Sequence, residues 1–459
     1  MLPSLPDSTF AFPHNSRLNG LKIWVHILGC RSNLYEGEAL AAELKARGAL
    51  VVDRPEGCRS AVIVSCSVTA AADRKCRQAV RRARREFGAD GIVAVCGCWA
   101  QDLAADAARA LDIDILVGNR LKNALPDALE SALTDKTAFV DIRQDLADDR
   151  SWDVLSLNRP VFHTRAFLKV QEGCDHFCSY CVIPFLRGRS TSRPLEEALT
   201  EARKIVDSGC REIVLTGIHL GAYGREVTPS LSLAELVRRF SAIPGLTRLR
   251  LGSLEPFALD EELLSALADS PVFCPHLHLP LQSGDDEVLA RMRRGHTAAE
   301  FARICEKARD KLGEDLHISS DILVAFPGES DAAFHNTLSL MKTAGLGRVH
   351  VFPFSPRRGT AAANLPDRLP PYLASRRVER AMELGAELLQ HYSVRFVGKS
   401  LSVLAENVKK SFFSGYTRHF VVASVESSAS EIEPGQEIKA CIADCIKGEL
   451  RGKAEITVR

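Results

Sequence analysis

The chain has 459 residues, enough for two to four domains with their own cores. It carries 59 Lys and Arg against 58 Asp and Glu, a formal net charge of +1, so bulk charge excludes a surface that is basic throughout and leaves only local basic patches for a polyanion. No stretch reaches 18 apolar residues and the first 20 residues lack a signal-peptide core, so the fourteen cysteines read as reduced, cytoplasmic metal ligands or packing groups, with no membrane partner.

Residues 1–20 read as a loose arm. From 21 to 132, the apolar runs "LKIWVHILGC", "AVIVSCSV" and "GIVAVCGC" alternate with helical patterns at 36–47 and 70–86. That rhythm predicts buried parallel strands in a doubly wound α/β domain. Residues 133–159 carry few periodic signals and read as a linker with a hairpin or loop. Between 160 and 393, six candidate strands, "AFLKVQE", "REIVLTGIHL", "RLRLGSLEP", "HLHLPLQSG", "HISSDILVAFPGE" and "RVHVFPFSP", are separated by helical patterns near 194–209, 230–242, 258–270, 285–312 and 330–344. Six strand–helix units predict a TIM-like barrel two units short of closure, with functional groups at the carboxyl ends of its strands. A long helix near 371–395 then leads into 394–459, where short strands and frequent turns predict a small, all-β barrel of OB-like size.

The loop "VQEGCDHFCSYCVIP" spaces Cys174, Cys178 and Cys181 as CxxxCxxC. A closed zinc site needs a fourth ligand, and none follows at a suitable spacing. A 4Fe–4S cubane held by three thiolates keeps one iron without a protein ligand, which leaves a place for a substrate or cofactor. The bland alternative is three cysteines that merely pack, which the polar company of Asp175, His176 and Ser179 disfavours. In the first domain Cys30, Cys66 and Cys98 each end an apolar strand. Loops at the carboxyl ends of a doubly wound sheet share one crevice, so these three can meet and hold a second three-thiolate cluster. Cys96 competes with Cys98, but Cys98 follows a glycine, as Cys30 does, and lies further out of the strand. Cys76 falls on an apolar helical face and reads as core, while Cys58, Cys210, Cys274, Cys305, Cys441 and Cys445 show no ligand spacing.

The cysteine loop resembles the signature of radical S-adenosylmethionine enzymes. That resemblance implies that the methionyl amine and carboxylate of the cofactor chelate the open iron and that electron transfer yields a 5′-deoxyadenosyl radical; Tyr180 matches the aromatic residue before the last cysteine. With "LGCRSNLYEGEAL", "SCSVTAAADRKCRQAVRR", "GCWAQ", "LRLGSLEP" and "HLHLPLQSGDDEVLARMRRGHT", the chain from 21 onward resembles the methylthiotransferases. The resemblance implies two 4Fe–4S clusters, one at Cys174, Cys178 and Cys181 and one at Cys30, Cys66 and Cys98. It also implies S-adenosylmethionine bound near Tyr180, Thr216, Gly217, Ser253, Glu255 and Gln282, and a terminal TRAM domain that binds RNA. The expected partners are a tRNA anticodon stem-loop and an electron donor such as flavodoxin or ferredoxin, with the sulfur donor left open. "GCRSNLYEGEAL" and "ADRKCRQAVRR" look most like the group that acts on N6-threonylcarbamoyladenosine at tRNA position 37. Sister groups act on isopentenyladenosine or on a ribosomal-protein aspartate. The family usually has Gly where Ala325 stands. An iron–sulfur RNA-binding regulator without turnover is the non-enzymatic alternative.

Two sets of residues are expected at RNA. Arg74, Arg77, Arg81, Arg84 and Arg85 share one helical face, against the alternative of a solvated face. Lys409, Lys410, Tyr416, Arg418 and Phe420 combine charge and stacking in the last barrel, against an ordinary barrel surface.

Overall fold

The computed structural model describes residues 16–135, 139–227, 231–427 and 432–455. The first domain is a six-stranded, all-parallel sheet built from β1 (Lys22–Ile27), β2 (Leu50–Val52), β3 (Ser60–Ser65), β4 (Ile92–Gly97), β5 (Ile115–Val117) and β6 (Val140–Ile142). The spatial order β2-β1-β3-β4-β5-β6 reverses direction between β1 and β3. β3 and β4 are buried throughout because helices cover both faces, which is why they read as unbroken apolar runs. β6 falls in the stretch expected as a linker; its three residues were too short to show a period. The expected arm is also part of the fold from 16 to 20, where Leu18 is fully buried and Ser16 donates to Glu130 at 2.8 Å. Its first fifteen residues lie outside those described.

The second domain is the incomplete barrel. Six parallel strands, β7 (Ala166–Lys169), β10 (Glu212–Thr216), β11 (Arg248–Leu251), β12 (His276–His278), β13 (His317–Val324) and β14 (Arg348–Pro353), follow one another in space. Single bridges, such as Ser253 with His278, join β11 to β12. A two-residue pair, β8 (Gln171–Glu172) and β9 (Thr191–Ser192), brackets the CxxxCxxC loop. The helical pattern at 285–312 is two helices, Asp286–Met292 and Ala298–Leu312. Arg293 turns left-handed at φ 57°, and Thr297 with Glu300 then forms a capping box that restarts the helix. The first domain lies against this barrel. Helix Arg31–Ala46 packs on β7, and beyond β14 Arg357 reaches Ser67 at 2.7 Å and Asp73 at 2.9 Å. The gap left by the two missing units is therefore flanked on both sides by the first domain.

Helix Pro371–Val394 runs along β14 into the third domain, a closed barrel in the order β15 (Ser400–Lys409), β16 (Phe412–Thr417), β17 (Val422–Glu426), β19 (Glu449–Ala454), β18 (Glu437–Ile446). It docks on the amino ends of the central strands. Buried Arg248 and Arg250 both pair with Glu212 and reach across to carbonyls of Tyr416, Thr417 and Arg418. Among the described residues no helix is long and apolar enough to cross a membrane.

Candidate iron–sulfur and cofactor site

Cys30, Cys66 and Cys98 stand at the carboxyl ends of β1, β3 and β4, and the sheet reverses its order between β1 and β3. That is where an open α/β sheet forms a crevice. Two glycines let the strand tops crowd together. Gly29 has φ 110°, and a Cβ there would meet the Cys66 Cβ at 2.8 Å; Gly97 has φ 98°, and a Cβ would meet the Ser65 carbonyl at 2.7 Å. Burial, then the proximity of Cys98 and Cys30, pushes the Cys66 thiol up to about 12. Cys96 faces away into the first core, among Ala94, Val117 and Leu125. Cys98 instead opens helix Cys98–Asp102 and packs against Val182 and Leu186, just beyond the CxxxCxxC loop.

That loop leaves β8 and is held by its own sulfurs. The His176 amide donates to Cys174 Sγ at 3.4 Å, and Arg294 Nη1 donates to Cys178 Sγ at 3.4 Å. Burial and the neighbouring Cys178 push the Cys174 and Cys181 thiols up to about 12. Neutral thiols crowded in a half-buried pocket are poor company; deprotonated and metal-bound, they are compensated. Around them, His176 Nε2, His219 Nε2 and Arg294 Nε are buried without a protein partner. Among the described residues no three His, Cys, Asp or Glu side chains close on one ion, but a four-iron cluster is wider than an ion. The donor set and the orphaned polar atoms beside it fit such a cluster.

Thr216 ends β10, and Gly217, Ser253, Glu255 and Gln282 follow the carboxyl ends of β10, β11 and β12. Thr216 is buried, and Gly217 lies against Gln171 closely enough that a Cβ would meet it at 2.9 Å. Gln282 is held at φ 69° and exchanges backbone bonds of 2.8 Å with Asp321 and Leu323. Tyr180 packs beside Met292 and Phe326. Glu255 pairs with Arg294, the residue that donates to Cys178. Arg294 escaped the sequence reading, although it sits in "RMRRGHT"; nothing in a helical period reports a contact with residue 178.

Arg31 was missed for the same reason. It follows Cys30 directly and leans into the barrel, where its Nη1 donates to the Leu251 carbonyl at 3.4 Å and its guanidinium lies 6.0 Å from the Phe420 ring. Among the described residues no carboxylate lies within ion-pair distance of it. Burial and the nearby Arg165 and Arg250 disfavour its charge, while Asp321 and Glu212 favour it from further off.

The expected RNA contacts divide. Arg74, Arg81 and Arg85 are exposed on helix Ala70–Phe87, with Arg77 half-buried beside them. Arg84 does not belong with them: it turns under the helix to pair with Asp114 and donate to the Gly91 carbonyl at 2.8 Å. Lys409 and Lys410 are exposed at a hairpin tip, with Phe412 under the Lys409 ammonium. Tyr416, Arg418 and Phe420 are engaged by the central domain instead. Phe420 stacks between Tyr416 and His276, each at 4.5 Å, Arg165 covers Tyr416, and Arg418 donates to carbonyls of Thr247, Pro271 and Phe273. Aromatic and cationic residues that suit a nucleotide suit a domain interface equally well.

Residues 168–341 match the Radical SAM superfamily, and residues 22–118 match the family described as Uncharacterized protein family UPF0004. The chain is 34% identical to the threonylcarbamoyladenosine tRNA methylthiotransferase MtaB of Bacillus subtilis, over 86% of this chain and 88% of that protein. Identity to the protein of the same name from Thermotoga maritima is also 34%, over 93% and 98%. It is 33% identical to the tRNA-2-methylthio-N(6)-dimethylallyladenosine synthase of Syntrophotalea carbinolica, over 83% and 88%. A solved structure of the radical S-adenosylmethionine methyltransferase TsrM from Kitasatospora setae superposes with a TM-score of 0.54 at 14% identity, over 75% of this chain and 77% of that one. With relatives above 30% identity along nearly its whole length, and the barrel and cysteine loop already in place, this chain belongs to the radical S-adenosylmethionine methylthiotransferases.

Proposed function

We propose that the protein methylthiolates carbon 2 of N6-threonylcarbamoyladenosine at position 37 of tRNA, in the anticodon loop. Cys174, Cys178 and Cys181 would hold one 4Fe–4S cluster and Cys30, Cys66 and Cys98 a second, with S-adenosylmethionine held near Tyr180, Thr216, Gly217, Ser253, Glu255 and Gln282. Together, when bound, these groups supply a carbon radical generator, a methyl donor and a sulfur carrier. An unactivated C2–H bond calls for such chemistry, since no acid–base pair in the barrel could replace that hydrogen with sulfur.

The chain's own residues do the rest. The first domain flanks the open mouth of the barrel, and Cys98 packs against Val182 and Leu186 beside the helix that follows Cys181. A base splayed from a single-stranded loop can enter that mouth, whereas a stacked base hides its C2 edge.

The observation that favours the threonylcarbamoyl nucleoside is Arg31. The threonylcarbamoyl substituent ends in a carboxylate; the dimethylallyl substituent is apolar. A half-buried guanidinium beside Cys30, without a carboxylate partner among the described residues and crowded by Arg165 and Arg250, suits the former and would be left uncompensated by the latter. Asp321, which acts on Arg31 only from further off, is occupied by His278 at 3.2 Å. Identities of 34% and 33% to the two kinds of relative do not separate them. Replacing Arg31 by Gln is expected to lower kcat/KM on threonylcarbamoyl-modified tRNA by about 10- to 100-fold, the worth of one charged hydrogen bond. Unchanged turnover, or a wild-type preference for dimethylallyl-modified tRNA, would transfer the assignment to the sister activity.

A further inference from the structure

Arg187 ends helix Ile183–Arg187, six residues beyond Cys181, yet its guanidinium points back into the first domain and is fully buried. Every nitrogen on it is used. Nη1 donates to Glu36 at 2.9 Å and Glu172 at 3.0 Å, Nη2 donates to Asn33 Oδ1 at 2.6 Å, and Nε donates to Cys98 Sγ at 3.2 Å. The sulfur is the partner that Nε has. The anchors are themselves fixed. Lys169 bridges Glu36 and Glu172 at 2.8 and 2.7 Å, and Glu172 receives the amide of Gly173, next to Cys174, at 3.1 Å. Asn33 ties helix Arg31–Ala46 to the top of β3 through the Ser65 carbonyl at 2.9 Å. The guanidinium is thus clamped by an ionic frame on one side and aimed at one cysteine sulfur on the other, and that frame reaches both cysteine sets.

We propose that Arg187 is a positioning residue for the second cluster: its Nε–H holds the Cys98 sulfur and sets that cluster's reduction potential. Hydrogen bonds and positive charge at a ligating sulfur stabilise the extra electron of the reduced cluster and raise the potential. Lysine at this position would keep the charge for Glu36 and Glu172 but has no fork that can serve the glutamates, Asn33 and the sulfur together. Arg294 stands to Cys178 as Arg187 stands to Cys98, so the two clusters would be tuned by separate arginines.

The inference rests on the reading that Cys30, Cys66 and Cys98 hold a cluster, and iron content tests that part alone. Protein with Cys174, Cys178 and Cys181 changed to Ala, reconstituted anaerobically, should retain about four irons; if it binds none, the reading of the ligands has failed and not that of Arg187. In that triple Cys→Ala protein, iron-replete, with its arginines labelled with 15N at the guanidino nitrogens and reduced by dithionite, pulsed EPR should show a 15N coupling from one arginine. Adding Arg187→Lys should remove the coupling and move the midpoint potential to a more negative value. Absence of the coupling with Arg187 in place overturns the proposal, as does an unchanged midpoint in an iron-replete Arg187→Lys protein. Should that variant fail to fold, the coupling measured with Arg187 intact still decides.

Discussion

Ala325 sits buried at φ 59°, a conformation that an L side chain with a Cβ adopts at a penalty of about 1–2 kcal/mol. Its amide donates to Glu329 at 2.7 Å, and that carboxylate is in turn gripped by Arg377, so the turn is fixed from outside. The motif comparison pointed to glycine here, and the backbone explains why. Ala325→Gly should raise stability by up to about 1 kcal/mol after the unfolded chain's extra freedom is subtracted, read as a higher Tm; a lower Tm would contradict the strain. The cysteines make a sharper residue-scale case. The choice of Cys98 over Cys96 rested on one glycine and the strand's length, and the structure separates them by direction: core for one, Arg187 for the other. Cys98→Ala should therefore stop methylthiolation while 5′-deoxyadenosine still forms, and Cys96→Ala should leave sulfur transfer in place. The reverse result would exchange their roles. Arg31, Arg187 and Arg294 were not legible, because each acts on a group between 89 and 220 positions away, and arginine in a local pattern looks like solvated surface.

Among elements, helix Ala70–Phe87 was readable nearly end to end. Thr69 caps it, Cys76, Ala79, Val80 and Ala83 form its buried stripe, and the arginines follow on the other side. What the period hid was Arg84, at the edge of that face and drawn down by Asp114. Changing both Arg77 and Arg81 to Glu should weaken tRNA binding and flatten its dependence on salt, each lost phosphate contact reducing the slope by about one. Arg84→Glu should instead lower Tm, because it removes a pair at the helix's end. Equal tRNA affinity of the double variant at low salt would return the face to ordinary surface. The third barrel's docking gives a pH test. His317 is fully buried, stacks on Tyr392 at 4.3 Å and meets the His419 carbonyl at 2.7 Å. Burial pushes His317 down to about 3 and His419 down to about 4, so both are neutral in the docked state. Unfolded histidine binds a proton near pH 6.5. Stability from this contact is thus fully present above pH 6.5 and is lost as pH falls toward 4, by on the order of 1 kcal/mol per pH unit for each histidine. The protection factors of β16 amides, which divide out the slower intrinsic exchange at lower pH, should fall between pH 6.5 and 5; constant protection would contradict neutral, buried imidazoles.

For the whole molecule, three units are joined: a parallel sheet beside an incomplete barrel, and a closed β-barrel docked on the amino ends of the central strands. The order and type of these units were legible because buried parallel strands and amphipathic helices leave strong, distinct periods. The contacts between them were not. Tyr416, Arg418 and Phe420 carry the chemistry of an RNA surface and serve a domain interface, and no local signal tells these apart. Two cubanes make about eight irons per chain after anaerobic reconstitution, and about four would leave one cysteine set unused. The function turns on the nucleoside. Mass spectrometry of nucleosides from tRNA of cells with and without this protein tests it most directly. Without the protein, the methylthio form of N6-threonylcarbamoyladenosine is expected to disappear, its unthiolated precursor to accumulate, and methylthio-isopentenyladenosine to be unchanged. Loss of the isopentenyl species alone, with the threonylcarbamoyl species intact, would contradict it.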